Sequence, residues 1–125
     1  MFLVFDTETT GLPKRWDAPI SDHGNWPRCI QIAWQLHDGF GNCIEHKDFT
    51  VTPDGFDIPF ESEQIHGIST ALATKEGSAI NAILADFTVA LAKSKYIIGH
   101  NVKFDVNIIG AELDRLGLDL SLIHI

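Results

Sequence analysis

The sequence predicts an α/β domain with a mixed sheet, in which three antiparallel strands precede a helix, a fourth strand and a second helix. Three observations support this prediction. Residues 29–37 alternate between apolar and polar side chains, residues 43–51 resume a strand pattern after a turn, and helical spacing flanks a short apolar run at 96–99. The chain has 125 residues, 45% of them hydrophobic, which suits a single domain over 1–125 with a buried core.

The three antiparallel strands fall in the first half of the chain. Residues 2–6 form an apolar run with Phe and Val, which predicts a strand, and the residues over 9–13 end it. The polar segment over 14–27 is predicted to be a loop. The turn at 38–42 contains two glycines and joins the second and third strands as a hairpin.

Helices are predicted to follow the hairpin. After a loop over 52–60, residues 61–65 form a short helix that ends at Gly67, and Ser69 can cap a further turn. Apolar residues over 77–93 recur at helical spacing, which predicts an amphipathic helix.

A short strand and a helix complete the predicted order. Residues 96–99 form the strand, and Asn101 is placed to cap a helix that stops at Gly117. The apolar residues 118–125 end abruptly. We therefore expect the domain to be truncated at its C-terminus, with 118–125 as a non-native tail.

Two features bear on the compartment. No apolar run reaches the roughly 20 residues of a membrane span, and the N-terminus lacks the pattern of a signal peptide, which predicts a cytoplasmic protein. Cys29 and Cys43 form no CxxC pair and lack zinc-ligand spacing, so we expect buried free thiols on neighbouring strands.

The net charge of −8 argues against a protein that grips nucleic acid by bulk electrostatic attraction, because such domains are usually basic. The conflict disappears if some of the carboxylates bind divalent cations, since bound ions reverse the sign of the local field.

Three acidic residues are candidates for such a site. Asp6 and Glu8 lie two apart near the end of the first strand, so their side chains project from the same face. Carboxylates held this close favour a cation between them, and oxygen ligands suit Mg²⁺ or Mn²⁺. Asp105 lies in the first turns of the last helix. Taken singly, these acids are also explained by a solvated strand end and by the favourable helix dipole.

The residues around these acids resemble a known family. Residues 5–12, FDTETTGL, resemble the first motif of the DEDD-type, DnaQ-like 3′→5′ exonucleases, and residues 99–105, GHNVKFD, resemble the second. Residues 65–68, IHGI, are similar to a segment of its bacterial proofreading members, and residues 28–33, RCIQIA, to its second strand. The resemblance covers about residues 1–117 in the family's order.

The resemblance implies a ribonuclease H-like fold and hydrolysis assisted by two divalent cations, Mg²⁺ or Mn²⁺. By analogy, Asp6 would bridge both ions, Glu8 would help to hold the ion that carries the attacking water, and Asp105 would support the second ion. These three residues are the predicted catalytic and metal-binding set.

The resemblance also implies a substrate and a partner. The substrate would be a nucleic-acid 3′ end, with single-stranded DNA favoured and RNA left open, and a DNA polymerase subunit would be a partner. No membrane is implied. The predicted substrate-binding residues are Thr7, Thr9, Leu12, His66, Asn101 and Phe104.

The tryptophans are a weaker signal for base stacking. Trp34 lies on the buried face of a predicted strand and is expected in the core. Trp16 and Trp26 are loop residues, for which core packing and substrate contact remain equal alternatives.

The family's third motif, a His or Tyr followed by the fourth Asp, has no match after Asp105. His100 and Asp105 have its spacing, but their context fits the second motif, so His100 is expected to be a structural neighbour. Two alternatives to a DNA exonuclease therefore stay open. One is an inactive nucleic-acid-binding or interaction fragment, and the other is an exoribonuclease that trims RNA 3′ ends.

Overall fold

The computed structural model describes residues 1–118, so all but the first residue of the predicted tail lies outside the described residues. Four strands form one sheet in the order β3-β2-β1-β4. The strands are β1 (Phe2–Thr9), β2 (Cys29–His37), β3 (Cys43–Thr50) and β4 (Tyr96–Ile98). β2 runs antiparallel to both β1 and β3, whereas β4 runs parallel to β1. The predicted mixed sheet is therefore confirmed.

Four helices accompany the sheet. They are α1 (Phe60–His66), α2 (Thr70–Glu76), α3 (Ile80–Lys93) and α4 (Val102–Arg115). The Ser69 hydroxyl caps α2 by accepting a hydrogen bond from the Leu72 backbone N–H, so the further turn predicted there is a helix. α3 begins later than residue 77, because Ser78 forms a β-bridge with Val51. Within residues 1–118, no helix is long and apolar enough to cross a membrane.

α3 and α4 cover one face of the sheet and build the main core. Phe87 of α3 packs against Phe5 of β1 and Trp34 of β2, with ring centroids 5.1 Å and 5.3 Å apart. Leu3 and Ile108 are fully buried in the same cluster. The predicted core position of Trp34 is confirmed. Cys29 is also buried, but Cys43 is exposed on the edge strand, so the prediction of two buried thiols is wrong for Cys43.

The opposite face of the sheet is open among the described residues. β1 continues to Thr9, three residues beyond the predicted strand, because it pairs with β2 along its whole length. Asp6 and Glu8 therefore lie within the strand, opposite Ala33 and Gln31 of β2. Thr7 is buried on the helix-covered face, so Asp6 and Glu8 project to the open face.

A buried ion cluster fastens the end of α4 to the loop between β1 and β2. The carboxylate of Glu112 accepts hydrogen bonds from the guanidinium groups of Arg28 and Arg115. Arg115 also donates to the backbone oxygen of Trp26 at 2.7 Å. This cluster positions α4, whose first turn carries Asp105, relative to the sheet.

Candidate active site

Asp105 reaches β1 where β4 stops. β4 pairs with β1 only as far as Ile98 opposite Val4, and the chain then turns at residues 99–101 into α4. The Thr7 hydroxyl donates a hydrogen bond of 2.7 Å to Oδ1 of Asp105. Asp105 is thereby held against the residue of β1 that lies between Asp6 and Glu8.

The pKa of Asp105 is raised from 3.8 to about 6. Burial is the main cause, because the side chain is only 2% exposed. The Thr7 hydroxyl and backbone N–H oppose the rise, while the negative charges of Asp6 and Glu8 add to it. The charges of Asp6 and Glu8 thus affect Asp105, although Asp105 contacts Thr7 on the helix-covered face and the other two acids project to the open face.

The donor set fits a hard divalent cation. Oδ2 of Asp105 is buried without a hydrogen-bond partner in the described part of the chain, and a Cβ at Gly99 would lie 3.4 Å from it. A buried carboxylate oxygen without a partner is costly, and a cation would remove that cost. However, within residues 1–118 no three His, Cys, Asp or Glu side chains form a metal-binding cluster by themselves.

The raised pKa predicts how stability depends on pH. Folded Asp105 keeps its proton to about pH 6, whereas the unfolded chain loses it near pH 3.8. Without divalent ions, the free energy of unfolding should therefore fall as pH rises from about 4 to 6, by on the order of 2–3 kcal/mol. Asp105→Asn should remove this fall. Denaturant unfolding in EDTA across this pH range measures both proteins.

Asp54→Asn is the matched control, because Asp54 is an exposed acid outside the site. It should keep the wild-type pH dependence. A wild-type curve that stays flat between pH 4 and 6, or an Asp105→Asn curve that still falls with pH, would contradict the raised pKa.

A pocket of about 250 Å³ lies beside Glu8, between the end of β1 and helix α1. Five of the six predicted substrate-binding residues line it, and Glu8 does so too. Those five are Thr7, Thr9, Leu12, His66 and Phe104. Asn101 does not line this pocket. It occupies the N-cap position of α4, but its side chain makes no capping hydrogen bond to the described residues, so the predicted side-chain cap is wrong.

Asp6 faces a second hollow. It lines a groove of about 560 Å³ on the open face of the sheet, together with Val4, Ile98 and His100. His100 is exposed in the turn before α4. Asp6 and Glu8 thus line two different hollows.

His66 lines the pocket, and a backbone hydrogen bond assigns the tautomer of its ring. Its Nδ1 accepts a hydrogen bond of 3.1 Å from the Ile68 backbone N–H, so the neutral ring carries its proton on Nε2. Nε2 is buried and lacks a partner among residues 1–118. The ring of this pocket-lining residue therefore has a buried hydrogen-bond donor without a partner in the described part of the chain.

The structure also adds residues that the sequence analysis missed. Ser62 and Ile65 line the pocket from α1, and the Ser62 hydroxyl donates to the backbone oxygen of Thr10. Ser62 lies four residues before His66, which places the two on the same face of α1. This helical spacing is the sequence signal that could have identified Ser62.

Comparison with known proteins matches nearly the whole chain to one family. Residues 3–121 match the family model RNase_T, described as exonuclease. The DNA polymerase III subunit epsilon of Rickettsia prowazekii is 33% identical over 114 residues, covering 91% of this chain and 44% of that protein. The 3′-5′ exonuclease DinG of Bacillus subtilis is 31% identical over 120 residues, covering 95% of this chain and 11% of that protein. The chain thus spans less than half the length of these relatives.

Solved structures match as well. Escherichia coli exonuclease I in complex with a dT13 oligonucleotide superposes with a TM-score of 0.77 and 26% identity, covering 98% of this chain and 25% of that chain. The product-bound structure of exonuclease I gives the same TM-score. The predicted ribonuclease H-like mixed sheet and the predicted family resemblance are both confirmed.

Proposed function

The chain belongs to the RNase_T exonuclease family, among the DnaQ-like 3′→5′ exonucleases, and on this premise we propose that it is a divalent-metal-dependent nuclease. It would hydrolyse the terminal phosphodiester bond of single-stranded DNA from the 3′ end, in a proofreading role. The observation that carries the proposal is the buried carboxylate of Asp105. It is held against Thr7 of β1, the residue between Asp6 and Glu8 in the sequence, with one oxygen unpartnered among the described residues and a pocket adjacent to Thr7.

Asp6, Glu8 and Asp105 are the residues that would hold the ions, which we propose to be two Mg²⁺ or Mn²⁺. When bound, such ions make water a better nucleophile at neutral pH and stabilise the departing 3′ oxygen. The protein's own part is to hold the carboxylates in place. Thr7 does this for Asp105 through its hydroxyl, and burial keeps competing water away from the same carboxylate.

The pocket would receive the 3′-terminal nucleotide. Leu12 and Ile65 are large apolar side chains that line it and remain mostly exposed, so a base could cover them. His66 would donate from Nε2 to a sugar or phosphate oxygen, because that atom has no partner among the described residues. Thr7 and Thr9 add hydroxyls at the same end of β1, and Phe104 adds an aromatic wall. Asn101 would meet the strand outside the pocket.

DNA is favoured over RNA by the solved relative, since exonuclease I was crystallised with DNA oligonucleotides. Association with a DNA polymerase is proposed because several curated relatives are named as DNA polymerase III subunits. A second candidate function is a nucleic-acid-binding fragment without catalysis. The lack of a three-residue metal cluster within residues 1–118 favours it.

The decisive test is incubation of the protein with a 5′-labelled single strand and Mg²⁺ or Mn²⁺. A ladder that shortens from the 3′ end, and that EDTA abolishes, is the expected result. The same strand labelled at its 3′ end should release labelled mononucleotide from the first turnover. Binding of the strand without any shortening would replace the exonuclease proposal with the binding fragment. Faster trimming of the matching RNA would replace DNA by RNA.

A further inference from the structure

We infer that Trp16 forms a second base-binding position, which stacks on the base next to the 3′-terminal one. The inference rests on the proposed function, because that function supplies a nucleic-acid strand whose last nucleotide occupies the pocket. It adds a residue that lies outside the pocket lining and outside the three acids.

Trp16 lies one aromatic ring away from the pocket. Its ring centroid is 5.5 Å from that of Phe104, and the two planes meet at 53°. Phe104 lines the pocket, while Trp16 is 51% exposed. An exposed tryptophan leaves a large apolar surface in contact with water unless a ligand or partner covers it. A base leaving the pocket past Phe104 would meet the open part of this indole.

The backbone next to Trp16 is fixed in place. The buried Asn25 side chain binds both backbone polar groups of Arg15, accepting from its N–H at 2.7 Å and donating to its C=O at 2.9 Å. Trp26, which follows Asn25, is itself buried and donates from Nε1 to the Pro19 backbone oxygen at 3.0 Å. The loop is thus anchored on both sides of the indole, which lowers the entropy lost on stacking.

The charges near Trp16 favour a phosphate backbone. Lys14 and Arg15 precede Trp16 in the loop, and Lys103 precedes Phe104 in α4; all three side chains are exposed. Within residues 1–118, the Arg15 guanidinium pairs only with Asp17, an exposed neighbour at 3.2 Å, and such surface pairs contribute little. Aromatic rings interleaved with cations are the usual construction of a single-strand binding path. Here the aromatic rings and the cations lie near the proposed catalytic acids, although the protein as a whole has a net charge of −8.

Equilibrium binding of two probes tests the inference, with Ca²⁺ replacing Mg²⁺ to slow hydrolysis. The probes are thymidine monophosphate, which fills only the pocket, and the dinucleotide pdTpdT, which extends past it. Trp16→Leu keeps an apolar side chain but loses the aromatic face, and Trp16→Phe keeps an aromatic face. We expect Trp16→Leu to weaken pdTpdT binding by about fivefold or more, with monophosphate binding unchanged and Trp16→Phe close to wild type.

Tryptophan fluorescence gives a second readout that needs no variant. Trp26 and Trp34 are buried, so quenching by pdTpdT but not by the monophosphate reports on Trp16. Equal losses of both probes in Trp16→Leu would mean that Trp16 only supports the pocket, and would overturn the inference. So would unchanged pdTpdT binding. Failure of the monophosphate to bind the wild-type protein would instead count against the proposed function itself.

Discussion

Asp6→Asn is expected to abolish metal-dependent 3′-end trimming while leaving the protein folded. Removing even an outer partner of a metal ligand typically costs 10- to 100-fold, so losing a ligand proposed to bridge both ions should cost at least about 100-fold. The side chain of Asp6 is exposed on the open face of the sheet, and the asparagine has the same size. The free energy of unfolding should therefore change little, and the loss should be catalytic.

Single-turnover trimming of a 5′-labelled strand in Mg²⁺ measures this effect, with Asp54→Asn as the matched acid-to-amide control. A further readout is the pKa of the Asp105 carboxyl, followed by NMR. Because the charge of Asp6 helps to raise that pKa, the substitution should lower it. Trimming at the wild-type rate by Asp6→Asn would remove Asp6 from the proposed centre. An unchanged Asp105 pKa would show that the two carboxylates do not interact.

Glu112→Gln is expected to give a large loss of stability. The carboxylate of Glu112 is only 1% exposed and is shared by two guanidinium groups, of which Arg115 is 14% and Arg28 26% exposed. Burial lowers the pKa of Arg115, and the Glu112 charge opposes that shift. Without this charge, two cations face each other with reduced hydration. Removing one partner from such a buried cluster should cost about 3 kcal/mol.

The pair of Lys47 on β3 and Asp86 on α3, 2.7 Å apart with side chains 36% and 33% exposed, is the matched control for denaturant unfolding. Asp86→Asn should cost less than about 1 kcal/mol, because exposed ion pairs are weakened by solvent. Equal losses in the two variants would contradict the burial argument. Because Glu112 fastens the end of α4, its loss should also lower the trimming rate through Asp105, which lies on the same helix.

Much of the fold could be predicted because its local signals agree with one another. The alternation over residues 29–37 defines the face of β2 that packs on α3, and the apolar spacing over 80–93 defines the matching face of the helix. The length of β1 could not be predicted, since Asp6 and Glu8 are poor strand formers in isolation. They are extended because β2 pairs with them residue by residue.

The candidate site also combines features that the sequence predicts with features that it does not. The candidate acids come from two short motifs. Asp6 and Glu8 belong to residues 5–12, and Asp105 belongs to residues 99–105. The hydrogen bond from Thr7 to Asp105 joins residues 98 apart in the chain, and no local pattern encodes it. The state of His66 likewise depends on the turn after α1, which brings the Ile68 N–H to the ring.

The order of the main elements and the buried face of β2 and α3 follow from short-range periodicity, and the candidate acids follow from two motifs, so all of these are readable in the sequence. Which carboxylate loses its water depends on contacts between distant parts of the chain. Asp105 is an ordinary first-turn acid in the sequence. It acquires a raised pKa and an unpartnered oxygen because α4, fastened by Glu112, carries it into a buried gap beyond the end of β4.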